Sequence, residues 1–292
     1  MSALVSSTWL EGNLGKVALF DASWHMPAEG RDARAEFKKE HIPGAQFFDI
    51  DALSDPQSPY PHMLPSEAAF VYAMHDFGVG NDDPVVIYDT KGIFSAPRVW
   101  WMFRVFGHEK VNVLDGGLPT WKAEGKAIAP SPACGEGLGR VNAASINSPL
   151  LTSPRKQGEE KYHAILQPRL LRTFDQMQEN VKSQREQVID ARSSARFRGE
   201  AAEPRPGLRS GHIPGSLNVP FSELLMPPYQ TMRSVPELAA VFTQAGVKED
   251  APLVTSCGSG VTACILALAL YEIGKKDVAI YDGSWAEWGA RT

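Results

Sequence analysis

The amino-acid sequence predicts an α/β protein made of two tandem copies of one domain, each an open, mainly parallel sheet flanked by helices. The chain has 292 residues, more than the roughly 100–200 residues of a typical single domain. Four sequence blocks occur twice in the same order, which indicates an internal duplication. Short β-branched runs also alternate with longer helical patterns, as expected for parallel strands joined by crossover helices.

The repeated blocks define the two halves. In the first half they are VALFDASW, HIPGAQFFDI, DPVVIYDTKG and VNVLDGGLPTW, and in the second half they are QVIDARSS, HIPGSLNVPF, APLVTSCGSG and VAIYDGSWAEW. They predict one domain over residues 1–130 and another over 159–292. Residues 131–158 are rich in Pro, Gly, Ser and Ala and show neither helical nor strand periodicity, so they are predicted to be an interdomain linker.

Within each copy, a short apolar run precedes a longer helical pattern. Pro84–Tyr88 and Leu253–Thr255 are predicted strands, and Ala96–Phe106 and Thr262–Ile273 are predicted helices. In open α/β sheets, ligands bind beyond the carboxyl ends of the strands. Chemistry is therefore expected in the turn after a strand, which is where Cys257 lies.

Composition excludes several classes of partner. The formal net charge is −5, and no run of Lys and Arg could neutralise a row of phosphates. The longest mainly apolar stretch, Val261–Leu270, is far shorter than the roughly 20 residues of a membrane span. The amino-terminal sequence has no basic segment followed by an apolar one. We expect neither a nucleic-acid partner nor membrane insertion.

The three cysteines, Cys134, Cys257 and Cys264, form no spaced framework, and their odd number leaves at least one thiol free. A reducing cytoplasm is therefore the expected location. No His, Cys and carboxylate grouping has the spacing of metal ligands. We expect neither a metal nor a cofactor.

The loop that starts at Cys257 has the features of an anion site. Gly258 and Gly260 can adopt positive φ, which allows the loop up to Val261 and Thr262 to curl with several N–H groups pointing inward. Together with the following helix N-terminus, these donors would stabilise a thiolate, the nucleophilic form of cysteine. A free Cys is often only a small buried hydrophobe, but the strand end and the two glycines favour a nucleophile.

Two other functions fit parts of this loop. Gly258-x-Gly260-x-x-Ala263 with Asp282 matches a dinucleotide fingerprint, but too few residues follow Asp282 to complete such a domain. A cysteine phosphatase would carry Arg six residues after its nucleophile to bind phosphate. That position is Ala263 here, which argues against a phosphatase.

The duplicated HIPG blocks, the linker and the segment CGSGVTA before a helix resemble the tandem-domain rhodanese-type sulfurtransferases over nearly the whole chain. More narrowly, the loop resembles that of 3-mercaptopyruvate sulfurtransferases. Rhodaneses that use thiosulfate typically carry Arg and Lys directly after the catalytic Cys, where this chain has Gly258 and Ser259. A compact dianion benefits from such charges close to the sulfur.

The resemblance implies a reaction in which sulfur passes from 3-mercaptopyruvate to Cys257 as a persulfide, and then to cyanide or to a thiol such as thioredoxin. Pyruvate would be released. Two alternatives stay open, a thiosulfate sulfurtransferase and a non-catalytic rhodanese-like module that binds a partner.

The resemblance also implies roles for particular residues. Arg196 and Arg205 would bind the carboxylate and keto oxygen of the donor, a task suited to the planar fork of Arg. Ser259, His62 and Asp51 would form a proton-handling triad, although Asp51 could instead cap a helix and His62 could be an ordinary loop histidine.

Other residues near these motifs are expected to have structural roles or to be inactive in transfer. The first half carries Asp89 where the second half has its cysteine, so it should be inactive in transfer. We expect Arg192 and Arg198 to make surface or interdomain salt bridges. His41 and His212 occur in both HIPG blocks and are expected to be structural.

Overall fold

The computed structural model describes residues 2–130 and 162–292. The predicted linker and Cys134 lie outside these residues. The first half has five strands and five helices: β1 (Leu4–Val5), α1 (Ser7–Glu11), β2 (Ala18–Asp21), α2 (Ala33–Lys39), β3 (Gln46–Phe47), α3 (Glu67–Phe77), β4 (Val85–Tyr88), α4 (Ala96–Val105), β5 (Val111–Leu114) and α5 (Gly117–Ala123).

The second half repeats this plan with one additional hairpin. Its elements are β6 (Leu171–Arg172), α6 (Phe174–Ser183), β7 (Gln187–Asp190), α7 (Ser194–Arg198), β8 (Leu217–Asn218), β9 (Leu225–Met226), β10 (Thr231–Met232), α8 (Val235–Gln244), β11 (Leu253–Ser256), α9 (Ala263–Glu272), β12 (Ala279–Tyr281) and α10 (Ser284–Arg291).

Both five-stranded sheets are parallel and have the same order. The first is β1-β5-β4-β2-β3 and the second is β6-β12-β11-β7-β8. The central strands β4 and β11 are buried along their whole length, as expected for strands covered by helices on both faces. The predicted fold class is thereby confirmed, and the helices predicted after these strands agree with α4 and α9 within one residue at each end.

The two halves share a hydrophobic core. Helices α4 and α9 are apolar nearly all round and pack against each other, and one apolar cluster extends from Phe20 in the first half to Ile280 in the second. Trp100, for example, meets the ring of Tyr271 at 5.5 Å between ring centroids. This shared core brings the loops before α4 and α9 close to the boundary between the halves. No helix in the described ranges is long and apolar enough to cross a membrane.

A buried carboxyl at the end of β2 makes a prediction about stability. Asp21 is fully buried and accepts a hydrogen bond from the Ser23 N–H at 2.9 Å. Burial raises the pKa of Asp21 to about 6, and the nearby Asp89 acts in the same direction, against the Ser23 hydrogen bonds. Since an unfolded Asp has a pKa of about 3.9, the folded state binds this proton more tightly. This group therefore favours folding increasingly as the pH falls through 6.

We expect Asp21→Asn to raise the free energy of unfolding at pH 7.5 by up to about 2–3 kcal/mol, because it removes the cost of ionising a buried acid. Urea unfolding at pH 5, 6 and 7.5 should show this gain shrinking as the pH falls. Asp190→Asn is the matched control, since Asp190 ends the corresponding strand β7 but is paired with Arg192 at 2.7 Å. It should destabilise at every pH tested. A gain in stability for Asp21→Asn that is constant with pH would contradict the raised pKa of Asp21.

Candidate active site

The start of α10 fixes the Cys257 loop. The N–H of Trp285 donates to the Cys257 carbonyl and that of Ala286 donates to the Gly258 carbonyl, both at 2.9 Å. The Ser284 hydroxyl accepts from the Cys257 N–H at 3.1 Å and lies 3.9 Å from Cys257 Sγ. Because each peptide unit is planar and trans, the N–H groups that share these two peptide planes, those of Gly258 and Ser259, point away from α10.

The Cys257 side chain is only 1% exposed. The sequence predicts a nucleophilic thiol, which an incoming sulfur compound must reach, but the structure places it in a buried position. Among its neighbours, the half-buried guanidinium of Arg205 interacts electrostatically with it. A donor can therefore reach the sulfur only if side chains around it move.

The first half shows what such a loop does with an anion. Asp89 follows β4 as Cys257 follows β11, and its carboxylate accepts four main-chain hydrogen bonds. Oδ1 accepts from Lys91 N at 2.9 Å, and Oδ2 accepts from the N–H groups of Phe94, Ser95 and Ala96 at 2.8–2.9 Å. The loop before α4 thus surrounds a buried carboxylate with donors. A thiolate at Cys257 would occupy the corresponding place.

The structure brings the three predicted triad residues together across the boundary between the halves. Ser259 Oγ lies 3.1 Å from His62 Nδ1, and His62 Nε2 lies 3.1 Å from Asp51 Oδ1. The hydrogen bond from His62 is the main cause that lowers the pKa of Asp51. An ionised Asp51 keeps the proton on Nε2, so that Nδ1 can accept the proton of the Ser259 hydroxyl.

Trp24 supports this triad, and sequence reasoning missed it. Its indole Nε1 donates to Asp51 Oδ2 at 3.0 Å, and its ring meets that of His62 edge-on at 4.7 Å between centroids. The Asp51 side chain is 63% exposed, so the indole hydrogen bond restrains a carboxylate that would otherwise be mobile. The block VALFDASW contains this Trp, but nothing in the block predicts its distant partner.

The two predicted donor-binding arginines lie beside the loop, in different states. Arg196 is bound to Glu203 through Nη2 at 2.5 Å and Nε at 3.3 Å. A Cβ added to Gly258 would lie 3.0 Å from Arg196 Nη2, so the glycine permits this close approach. Arg205 has no hydrogen-bond or ion-pair partner within residues 2–130 and 162–292, and burial is the main cause that lowers its pKa. It is the cation of this site that is free to bind an anion.

The other loop positions have structural places. Gly260 has φ +77°, and a Cβ there would lie 2.8 Å from the carbonyl oxygen of Asp282. Val261 is buried, and Thr262 precedes α9 as its N-cap residue. Cys264 is buried and donates to the Gly260 carbonyl at 3.1 Å, and burial raises its pKa well above the ordinary range. We infer that Cys264 is structural.

The expectation for Arg192 is wrong, whereas that for Arg198 agrees with the structure. Arg192 is fully buried and pairs with Asp190 and Glu203, each at 2.7 Å, all within the second half. The reason is Glu203, whose side chain is 1% exposed and needs two cations to offset its burial. Arg198 makes an exposed ion pair with Glu200 at 2.7 Å. The signal for Glu203 was an acid inside the basic segment DARSSARFRGEAAEPRPG.

His41 and His212 hold the HIPG turns in both halves. Nδ1 of His41 lies 2.8 Å from the Phe37 carbonyl, and Nδ1 of His212 lies 2.8 Å from that of Phe197. Each imidazole also stacks on the ring of the same Phe. Their equivalent contacts fit the structural role expected for both.

Sequence reasoning also missed a buried ion pair behind the site. Arg98 of α4 and Asp282, which follows β12, lie 2.7 Å apart and both are buried. In the sequence, Asp282 was linked to a dinucleotide fingerprint rather than to an ion pair. An Arg inside the apolar pattern APRVWWMFRV was a signal that a buried partner exists. Among the described residues, no cluster of three His, Cys, Asp or Glu side chains could hold a metal ion.

Comparison with known proteins identifies the class. The model of the rhodanese-like domain matches residues 6–124 and 173–291. The chain is 48% identical to "Thiosulfate/3-mercaptopyruvate sulfurtransferase 1, mitochondrial" of Arabidopsis thaliana over 99% of its own length and 76% of the relative. It is 44% identical to the 3-mercaptopyruvate sulfurtransferase of Homo sapiens over 99% of its length and 92% of the relative.

A solved structure agrees. The crystal structure of SseA from Escherichia coli, described with the rhodanese fold and catalytic mechanism of 3-mercaptopyruvate sulfotransferases, superposes with a TM-score of 0.81 at 37% identity, covering 98% of this chain and 99% of that one. The chain belongs to the rhodanese-like family and is a tandem-domain sulfurtransferase. The resemblance seen in the sequence is confirmed, while the exact domain limits stay predictions.

Proposed function

We propose that the chain takes the sulfur of 3-mercaptopyruvate onto Cys257 as a persulfide and passes it to a thiol, with release of pyruvate. The observation that carries this proposal is the half-buried Arg205 beside Cys257, which has no hydrogen-bond or ion-pair partner among the residues that the structure describes. It offers a cation to a carboxylate that lies away from the reacting sulfur. The residues that directly follow the cysteine carry no charge.

The first half-reaction uses groups on both sides of the sulfur. Arg196 and Arg205 orient the donor, and the Cys257 thiolate attacks its sulfur. The carbon–sulfur bond breaks, its electron pair goes to carbon, and pyruvate leaves as an enolate. Ser259, backed by His62 and Asp51, relays the thiol proton of the donor to this carbon, so that the persulfide remains on Cys257 as an anion.

In the second half-reaction, an acceptor thiolate attacks the outer sulfur of the persulfide. A persulfide forms on the acceptor and the Cys257 thiolate is regenerated, which is covalent catalysis in two steps. A thioredoxin-like thiol is the proposed acceptor, and cyanide would give thiocyanate. The first half contributes His62 and Asp51 but performs no transfer of its own, because Asp89 already fills its loop.

The proposed location is the cytoplasm. Cys257 and Cys264 are both free thiols, and a persulfide carrier needs a reducing environment to keep its nucleophile. The Arabidopsis relative is named mitochondrial, and that compartment would satisfy the same requirement. Localisation of a tagged full chain in its own cells would decide between them.

Thiosulfate is the second candidate donor, since the name of the Arabidopsis relative includes it. The Gly258 loop argues against it as the better donor. A charged side chain at position 258 would require the Arg196 guanidinium to shift, because a Cβ there would lie 3.0 Å from its Nη2. The loop therefore leaves the cations in positions suited to a carboxylate instead of placing them against the sulfur.

Initial rates with the two donors, with cyanide as acceptor, test the proposal. We expect kcat/KM for 3-mercaptopyruvate to exceed that for thiosulfate by at least about tenfold, a difference of roughly 1.4 kcal/mol in transition-state binding. A preference for thiosulfate would replace the proposed donor. Absence of any persulfide with either donor would favour the non-catalytic module.

A further inference from the structure

The two halves contact each other through a pair of corresponding segments, one before α3 and one before α8. Four residues before the N-cap of α3 (Ser66) lies His62, and four before the N-cap of α8 (Ser234) lies Gln230. Both adopt the left-handed conformation, with φ of 62° and 55°. The corresponding segments therefore have the same bend in both halves, although only one of them carries the imidazole.

Each bent segment binds the opposite half through the same contact, a main-chain N–H that donates to an Asp carboxylate, which is called the clasp below. The N–H of Leu64 donates to Asp282 Oδ2 at 2.7 Å, and the N–H of Met232 donates to Asp115 Oδ1 at 2.8 Å. Asp115 and Asp282 follow the corresponding strands β5 and β12. The clasp is thus part of the duplicated fold and occurs whether or not the loop beneath it has a nucleophile.

The ion pair on Asp282 has no counterpart on the other side. Arg98 lies three residues after the N-cap of α4, and Ile265 is the residue three after the N-cap of α9. Within the part of the chain that the structure describes, Asp115 has no ion-pair partner, and burial raises its pKa. The contact between Met232 and Asp115 forms without an arginine. Arg98 is therefore an additional partner of Asp282, on the side of the Cys257 loop.

Arg98 contacts the main chain of His62 and that of Gly260, the residue after Ser259. Its Nη2 donates to the His62 carbonyl, and its Nη1 lies 3.3 Å from the Gly260 carbonyl and 2.7 Å from Asp282 Oδ1. His62 and Gly260 belong to different halves, and Gly260 is the neighbour of Ser259. One rigid guanidinium therefore spans the seam that the Ser259–His62 hydrogen bond crosses.

We propose that Arg98 is a positioning residue, which fixes the His62 imidazole relative to Ser259 by holding the two carbonyls. This inference rests on the proposed function through the role of the triad. A buried ion pair is a poor source of net stability because both charges lose their hydration. Accurate placement, in contrast, has a large effect on rate, since a displacement of about 1 Å can cost on the order of a hundredfold.

The test uses a neutral pair, Arg98→Met with Asp282→Asn, which leaves no unpaired buried charge and keeps an oxygen for the Leu64 N–H. We expect kcat for pyruvate release from 3-mercaptopyruvate to fall at least about tenfold, with KM changed less than about threefold because Arg196 and Arg205 are untouched. Asp115→Asn is the matched control. It alters the same clasp over the loop that Asp89 fills, which has no nucleophile, and should keep kcat within about twofold.

A His62→Gln background distinguishes positioning from a general structural role. If Arg98 acts through His62, the neutral pair should cost less than about twofold when His62 is already Gln. An equal loss in both backgrounds would overturn the proposal, as would a neutral pair that retains wild-type kcat while His62→Gln does not. Arg98→Lys is the second variant if the neutral pair does not fold. A single ammonium cannot hold both carbonyls, so kcat should again fall, and full activity would count against the proposal.

Failure of the proposed function is visible separately. It would appear in the wild-type protein itself, which would then release no pyruvate from mercaptopyruvate or form no persulfide on Cys257.

Discussion

Cys257→Ser is expected to abolish sulfur transfer, with pyruvate release falling by about a thousandfold or more. A serine hydroxyl does not ionise near neutral pH and cannot hold a sulfur atom as a persulfide. The substitution changes the side-chain volume little, and the new hydroxyl would lie near that of Ser284, the polar neighbour of Cys257 Sγ at 3.9 Å. Folding should therefore be retained.

Intact mass after exposure to 3-mercaptopyruvate measures this directly. Wild-type protein should gain about 32 Da, one sulfur atom, on the peptide that contains Cys257. Cys264→Ser is the matched control, because Cys264 is buried and its hydrogen bond to the Gly260 carbonyl can be made by a hydroxyl. It should gain the same mass. Wild-type turnover by Cys257→Ser would rule out the persulfide mechanism.

The repeated blocks were sufficient to predict the fold and the place of the nucleophile. The period of the blocks defined two domains, and the carboxyl-end rule for parallel sheets placed Cys257 at the end of a central strand. Both are local patterns, because a strand, a turn and a helix follow one another within about 20 residues. Family resemblance added the triad, in which His62 lies 3.1 Å from both Asp51 and Ser259 although Ser259 is 197 residues away in the sequence.

What could not be predicted depends on pairing between distant side chains. The Arg98–Asp282 pair joins residues that no sequence period relates, and Trp24 donates to Asp51, which lies 27 residues further along the chain. A buried charge is a sign of a partner, but it does not say which one. The same reasoning explains the error over Arg192, which was expected to make surface or interdomain salt bridges, because its partner Glu203 lies 11 residues further along the chain.

The shared core was also beyond sequence reasoning. The sequence predicted two domains without indicating how they meet, but the mainly apolar character of α4 and α9 is the mark of helices that pack on both sides. Their packing against each other explains why the triad can be divided between the halves. His62 is carried to the Cys257 loop by the segment that leads into α3, whose Phe70 belongs to the same apolar cluster.

Arg205→Met is expected to have the second largest effect, a loss of about tenfold to a hundredfold in kcat/KM for 3-mercaptopyruvate. Hydrogen bonds to charged groups contribute roughly 1.5–3 kcal/mol, and Arg205 has no other partner among the described residues that could absorb the change. Most of the loss should appear in KM if Arg205 holds the carboxylate equally in ground and transition states. Arg198→Met is the matched control, because this exposed arginine pairs with Glu200 at 2.7 Å, and it should leave kcat/KM unchanged.

Arg205 could instead act on the thiol, since its charge also interacts with Cys257. Alkylation by iodoacetamide separates the two roles, because this reagent is neutral and needs the thiolate but no carboxylate site. If Arg205 binds the donor, Arg205→Met should alkylate at Cys257 within about threefold of the wild-type rate, while mercaptopyruvate turnover falls much further. Equal losses in the two reactions would show that the Arg205 charge acts only by stabilising the Cys257 thiolate. The carboxylate of the donor would then have to bind to Arg196, although Arg196 already donates to Glu203 through two of its nitrogens.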